Sequence, residues 1–193
     1  MRLSRSPRLR LVRPGPAYLQ GYVAALARGW STDTERGERA ASEELERVEL
    51  DPNAFLASQD DREAKGPPIK LPDGSLVTRL PGFYRWMWDG EFEGSIALRW
   101  QRGTTDLPEY CLGHIGYGVV PWKRRRGHAT RALAMLLPLA RQEGLVFVEI
   151  TTDIDNVASQ RVITANGGVL VEEFVKPAAF GRKPGLRYRI HLA

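Results

Sequence analysis

The sequence predicts an α+β fold, and three patterns carry that prediction. Two aromatic and apolar runs, residues 83–88 and 94–100, flank an Asp-Gly turn, which is typical of an antiparallel β-hairpin. A strand–helix–strand unit follows over residues 110–151, and two more strand patterns close the chain. Antiparallel pairs on both sides of a strand–helix–strand unit indicate a mixed, mostly antiparallel sheet flanked by helices.

The remaining elements follow from apolar periodicity and from residues that end helices and strands. Helical spacing predicts helices over residues 17–27, 41–50, 53–59, 129–142 and 157–166. Alternating or β-branched runs predict strands over residues 9–12, 110–120, 145–151, 169–175 and 187–192. Residues 66–81 are rich in Pro and Gly and predict a loop.

Length and cysteine content limit the function classes. The chain has 193 residues, which fits one domain, expected over residues 9–193. No apolar run approaches the roughly 20 residues that span a bilayer, and no signal-like apolar stretch follows the first arginines. Cys111 is the only cysteine, which excludes an intrachain disulfide and a cysteine-based metal site. We expect a cytoplasmic protein with no membrane partner.

The net charge of +5 is concentrated at the N-terminus. Residues 1–13 contain five arginines and no acid, and without them 23 basic residues face 23 acidic ones. Residues 1–8 are predicted to be a disordered basic arm. Because the rest of the chain is neutral, a general nucleic-acid-binding surface is not supported.

An acidic segment over residues 33–63 holds eleven acidic and four basic residues. It has two interpretations. A solvated helical surface is the simpler, because charge runs commonly face water. The other is a lip over the substrate site that attracts a cationic amine.

The most informative segment joins a strand, a basic loop and a helix. The loop reads Arg124-Arg125-Arg126-Gly127-His128-Ala129, and a helix begins within it. The first turn of a helix has unpaired N–H groups and the positive end of the helix dipole, so it binds phosphate readily. Gly127 has no Cβ to keep an anion from the backbone. The loop therefore predicts a diphosphate site.

The type of diphosphate follows from what the loop contains. A Walker loop needs Gly-Lys-Ser/Thr, and a dinucleotide fingerprint needs three glycines, and neither is present. The pattern Arg/Gln-x-x-Gly-x-Gly/Ala is present, and it resembles the signature of the GNAT superfamily of acetyltransferases. A second segment resembles the same family, from Asn156-Val-Ala-Ser159 to Gly167-Gly168. Together they imply a GNAT-like, splayed sheet of six to seven strands over roughly residues 9–192.

The resemblance also implies residue roles. The backbone of Tyr117, Gly118 and Val119 would pair with the pantetheine arm of coenzyme A, and Asn156 would contact the pantetheine or hold the splay. The pyrophosphate would lie on the loop and first helical turn, comprising Arg124, Arg125, Arg126, Gly127, His128, Ala129 and Thr130. In the family the splay follows from a bulge, with which Gly116 and Gly118 are compatible.

Two residues are candidate catalysts. His114 is a candidate general base, because imidazole titrates near neutral pH; a hydrogen-bonded structural histidine is the alternative. Many relatives use a tyrosine to protonate the leaving thiolate, where this chain has Ile163. Ser159, one helical turn earlier, could donate to the sulfur, or it could only satisfy its own helix.

The sequence thus predicts an N-acetyltransferase that moves an acetyl group from acetyl-CoA to a primary amine in a ternary complex, with no metal. A non-catalytic module that binds acyl-CoA is the alternative, and a nucleic-acid-binding domain is the weakest. The acceptor, a peptide or a small molecule, stays open, and so does the oligomeric state, a homodimer included.

Overall fold

The computed structural model of the protein describes residues 9–33 and 36–192. The helices in this part are α1 (Pro16–Leu26), α2 (Gly37–Leu50), α3 (Pro52–Ser58), α4 (His128–Gln142) and α5 (Val157–Thr164). The strands are β1 (Arg10–Val12), β2 (Asp60–Asp61), β3 (Ile69–Lys70), β4 (Leu76–Val77), β5 (Gly82–Trp88), β6 (Phe92–Arg99), β7 (Ile115–Val119), β8 (Phe147–Asp153), β9 (Val169–Val175) and β10 (Pro184–His191). None of the described helices has the length and apolar character needed to cross a membrane.

The long strands form two antiparallel sheets. The first has the order β1-β5-β6-β7, with β2 also paired to β5, and the second has the order β8-β10-β9. The hairpin between β5 and β6 turns at Gly90, whose φ of 99° is one that glycine adopts without strain. A small separate hairpin, β3–β4, lies within residues 66–81, where the sequence predicted only a loop.

Two apolar clusters hold the helices against the sheets. Helix α4 contributes Leu133 and Leu136, both fully buried, to the larger cluster. In the smaller cluster Tyr22 of α1 stacks on Trp86 of β5, with ring centroids 4.6 Å apart. Trp100 is buried in the larger cluster and Trp86 in the smaller one.

The two sheets meet at β7 and β8, and there they splay apart. Among the described residues, the contact between these strands includes one backbone hydrogen bond, from the His114 amide to the Glu149 carbonyl oxygen (2.8 Å). Gly113 lets the backbones approach at this point, because a Cβ on it would lie 3.0 Å from the Glu149 oxygen. Beyond His114, β7 pairs with β6 alone and β8 with β10. A gap between β7 and β8 results.

Three local predictions need correction or fall outside the described residues. The strand predicted over residues 110–120 is confined to Ile115–Val119, because a turn closed by the Cys111 amide and the Pro108 carbonyl occupies its start. The family's bulge, with which Gly116 and Gly118 are compatible, does not occur at either residue, since the register with β6 is continuous through both. The basic arm at residues 1–8 lies outside the described residues.

Candidate cofactor site

The arginine-glycine loop is held in an open conformation at the start of α4. Gly127 caps the helix with a φ of 72°, in the left-handed region that favours glycine, and no side chain caps the helix. Within residues 9–33 and 36–192, nothing lies within 4 Å of the position that a Cβ on Gly127 would occupy. Arg125 also has a positive φ, 63°. The backbone therefore turns its first helical amides toward open space.

Those amides lack acceptors within the chain. In the described part of the chain, the N–H groups of residues 127–130 have no hydrogen-bond acceptor, and the first bond of the helix runs from the Arg131 amide to the Gly127 carbonyl (3.1 Å). Four free N–H groups at the positive end of a 15-residue helix make an anion site. The phosphate site that the sequence places at this loop stays a prediction.

The cationic side chains of the loop surround this site. Arg124, Arg125 and Arg126 are exposed and can reach a phosphate on the helix N-terminus. Arg124 Nε donates to the Val119 carbonyl oxygen (3.3 Å), and Arg131 donates to the Arg126 carbonyl oxygen (2.9 Å). These bonds tie the loop to β7 on one side and to α4 on the other.

A buried polar group lies beneath the loop. The His128 side chain is buried, so only the backbone amide of His128 can contact a ligand. The Nε2 atom of the His128 ring lies 3.4 Å from Glu93 Oε2. Lys123 Nζ lies 3.1 Å from Glu93 Oε1 and 2.8 Å from Glu91. Burial, first of all, raises the pKa of Glu93 and lowers the pKa of His128.

This group also includes potential metal ligands. Asp89, Glu93 and His128 each place one ligand atom within 4.8 Å of the others. The Lys123 ammonium already supplies positive charge to Glu93. An ion pair that links β6 to the loop accounts for the arrangement.

The free edge of β7 faces the gap. The Val120 amide donates to Glu93 of β6, and the His114 carbonyl accepts from Arg99 of β6. Because hydrogen-bonding directions alternate along a strand, the peptide groups of Tyr117 and Val119 point away from β6, toward β8. The N–H groups of both residues and the C=O group of Tyr117 can pair with an extended ligand as an added strand would. The Val119 C=O group already accepts from Arg124 Nε.

Helix α5 borders the other side of the gap. Asn156 is its N-cap, and its Oδ1 accepts from the Ser159 amide (3.1 Å). Ser159 Oγ lies 2.8 Å from the Tyr117 hydroxyl oxygen. Gly167, with a φ of 82°, ends the helix, and a Cβ on Gly168 would lie 2.8 Å from the Ile163 carbonyl oxygen. The Gly167-Gly168 pair therefore lets the chain pass close to the end of α5.

His114 does not present a free nitrogen to a substrate. Its Nδ1 accepts from the Glu149 amide (2.9 Å), so Nε2 carries the hydrogen and donates to the Thr105 carbonyl (3.0 Å). The ring is 1% exposed, and burial lowers its pKa. This geometry supports the structural alternative over the general base predicted from the sequence.

The hydroxyl of Tyr117 was missed by the sequence reasoning, which assigned this residue only through its backbone. Alternation along β7 places Tyr117 on the face opposite His114, with Ile115 and Val119. This alternation can be read from the sequence. The contact with Ser159, 42 residues away, cannot.

Comparison with known proteins decides the family. Residues 76–169 match the family profile described as Acetyltransferase (GNAT) domain. The chain carries a GNAT acetyltransferase domain. The matched segment includes the arginine-glycine loop, the gap-facing strand β7 and all of α5. The predicted family and the predicted acetyltransferase class are confirmed.

Solved structures share the GNAT fold at low sequence identity. RimL, a ribosomal L7/L12 alpha-N-protein acetyltransferase in complex with coenzyme A, is 13% identical with a TM-score of 0.61, over 99% of this chain and 97% of its own. MccE, the microcin C7 self-immunity acetyltransferase in complex with acetyl-CoA and AMP, is 12% identical with a TM-score of 0.59, over 98% of both chains. An acetyltransferase from Agrobacterium tumefaciens str. C58 is 17% identical with a TM-score of 0.52, over 99% of this chain and 95% of its own.

These likenesses confirm the predicted GNAT-like, α+β splayed sheet, and at such identities they show the fold alone. No curated protein matches the chain.

Proposed function

We propose that this chain is an acetyl-CoA-dependent N-acetyltransferase. One observation carries the proposal: the free amides of residues 127–130 and the free edge of β7 lie in succession along one stretch of chain. The amides can hold a pyrophosphate, and the strand edge can hold an extended arm that contains amides. Coenzyme A contains a pyrophosphate followed by such an arm. The acetyl-CoA and CoA complexes of MccE and RimL support the same cofactor.

The residues fit this cofactor in three places. The amides of residues 127–130 bind the pyrophosphate, with Arg124, Arg125 and Arg126 pairing with the remaining phosphate charge. Tyr117 binds the pantetheine amides through its gap-facing N–H and C=O groups, and Val119 borders the same arm. The Asn156 oxygen caps α5, and its carboxamide nitrogen, which has no acceptor among the described residues, can donate to the same arm.

Acetyl-CoA supplies an activated acyl thioester, and the chain positions it for attack. The Val119 N–H, which points into the gap, polarises the thioester carbonyl. Ser159 donates a hydrogen bond to the sulfur on which negative charge develops. Much of the rate comes from holding the amine and the thioester together in a ternary complex, without a covalent enzyme intermediate.

Proton transfer from the attacking amine goes to water in this proposal. His114, the base predicted from the sequence, has both nitrogens engaged by backbone groups. A deprotonated amine therefore has to arise through solvent. We expect turnover to rise with pH until the acceptor amine is neutral.

A primary amine is the proposed acceptor. On the face of β7 opposite Tyr117, a Cβ on Gly118 would lie 3.5 Å from Trp30 and Thr32. Ser31, between them, donates to Glu44 of the acidic helix α2 (3.3 Å). A carboxylate beside this face attracts an ammonium group. Protein N-termini and small molecules are both candidate acceptors, as the names of RimL and MccE suggest.

A non-catalytic acyl-CoA-binding module is the second candidate. Ile163 favours it. This residue is fully buried at the position where many relatives have a tyrosine, so the position supplies no phenol to protonate the thiolate. Thiol release from acetyl-CoA with a panel of peptide and small-molecule amines separates the two functions. Amine-dependent thiol release supports the enzyme. CoA binding without release for any amine supports the module.

A further inference from the structure

Tyr117 and Ser159 join the two elements that border the gap. Their hydroxyl oxygens lie 2.8 Å apart, and the phenol also lies 3.4 Å from the Ser159 carbonyl oxygen. Tyr117 is on β7 and Ser159 is in the first turn of α5. The pair therefore spans the opening between the strands on the side of α5.

Either hydroxyl can be the donor in this contact, and the direction from Tyr117 to Ser159 is the one that frees the serine hydrogen. Burial raises the pKa of Tyr117 to about 12, so the phenol keeps its proton across the neutral range. A protonated phenol that donates to Ser159 Oγ leaves the serine hydrogen free for another acceptor. The Ser159 amide is fixed by Asn156 Oδ1 (3.1 Å). The serine oxygen is thus held while its hydrogen is available.

The two apolar residues of α5 nearest to Ser159 on its inner side cannot donate to the sulfur. Ile163, one turn after Ser159 on the same helical face, is fully buried and has no polar side-chain atom. Val162 is likewise apolar and packs against the larger core cluster. Tyr117 brings its phenol to this face from the neighbouring strand.

We propose that Tyr117 is a positioning residue for Ser159: its phenol donates to Ser159 Oγ and directs the Ser159 hydrogen at the sulfur of coenzyme A. The inference rests on the proposed function, because it needs the CoA sulfur in the gap. No proton is transferred in this step. The two hydroxyls form a short chain of hydrogen bonds that ends on the sulfur and strengthens as the sulfur becomes a thiolate.

The ionisation of bound CoA tests this without knowledge of the acceptor. Hydrogen bonds to a charged form favour that form, so the pair lowers the pKa of the bound thiol. Thiolate absorbance of the CoA complex is titrated against pH for the wild type, Tyr117→Phe, Ser159→Ala and the double variant. Tyr84→Phe, which removes an exposed hydroxyl two strands away, is the matched control.

We expect Tyr117→Phe and Ser159→Ala each to lower the thiolate fraction at a fixed pH about ten-fold, which corresponds to roughly one pKa unit. The double variant lowers it no further than Ser159→Ala alone, because Tyr117 acts through Ser159. Tyr84→Phe leaves it unchanged. Fluorotyrosine at position 117 keeps the shape of the side chain and is a stronger donor, so it raises the thiolate fraction even if Tyr117→Phe does not fold.

Two different failures are distinguishable. A wild-type protein that does not bind CoA overturns both the proposed function and this inference. A wild-type protein that binds CoA, with a thiol pKa that the Tyr117 substitutions leave unchanged or shift additively with Ser159→Ala, overturns the inference alone.

Discussion

His114 and Glu149 exchange two hydrogen bonds at the point where β7 and β8 meet. The His114 amide donates to the Glu149 carbonyl (2.8 Å), and the Glu149 amide donates to His114 Nδ1 (2.9 Å). The imidazole takes the place of the backbone carbonyl that a regular ladder would offer. Since the His114 carbonyl bonds to Arg99 of β6, this one residue links three strands where the sheet divides.

Substitution of His114 tests its structural role. His114→Ala leaves the Glu149 amide and the Thr105 carbonyl without partners and opens a cavity, so we expect it to lower the free energy of unfolding by about 2–4 kcal/mol. His114→Asn can keep the acceptor for the Glu149 amide and should lose less. Chemical denaturation measures both. If His114→Asn were as stable as the wild type and yet lacked turnover, His114 would be catalytic.

The pH dependence of stability follows from the two buried histidines. Burial lowers the pKa of His114 and of His128 from the ordinary value of 6.5. Each takes up its proton at a lower pH in the folded protein than in the unfolded chain, whose histidines titrate near about pH 6.5. Their contribution is therefore fully present above that pH and is lost as the pH falls.

We expect the free energy of unfolding to decrease between pH 7 and pH 5, by at most about 1.4 kcal/mol per pH unit for each histidine. In His114→Asn the slope should be shallower. Equal slopes in the two proteins would show that His114 does not titrate in this way.

The ion pair under the loop gives a separate prediction. Lys123→Met leaves the fully buried Glu93 carboxylate without its cation, and breaking a buried pair costs about 3–5 kcal/mol. The double variant Lys123→Met, Glu93→Gln should recover part of that loss, because no unpaired charge remains. A double-mutant cycle by denaturation measures the coupling. Additive losses would mean that Lys123 does not stabilise Glu93.

Sequence reasoning succeeded where the determinants are local. The arginine-glycine loop, the start of α4 and the Gly-Gly end of α5 depend on residues within one or two turns of each other, so their positions were readable. The hairpin of β5 and β6 was readable for the same reason, since an Asp-Gly turn separates two apolar runs.

The remainder depends on contacts between distant segments. The partners of His114 are 9 and 35 residues away, and the partner of Tyr117 is 42 residues away. A strand pattern shows which face His114 occupies but not which groups meet it there. The shortening of β7 has the same origin, because apolar composition does not distinguish a strand from a turn packed on β8.

In the proposed complex the Gly127 backbone borders the pyrophosphate of coenzyme A, and a charged substitution tests this placement most directly. Gly127→Glu and its isosteric control Gly127→Gln carry the same strain of a positive φ, about 1–2 kcal/mol, and both side chains enter open space. They differ in negative charge.

Both should fold, and calorimetric titration with CoA should show affinity reduced at least about 100-fold in Gly127→Glu, because a carboxylate lies against the pyrophosphate. Gly127→Gln should bind more tightly than Gly127→Glu. Unchanged CoA affinity in a folded Gly127→Glu would contradict the placement of the cofactor.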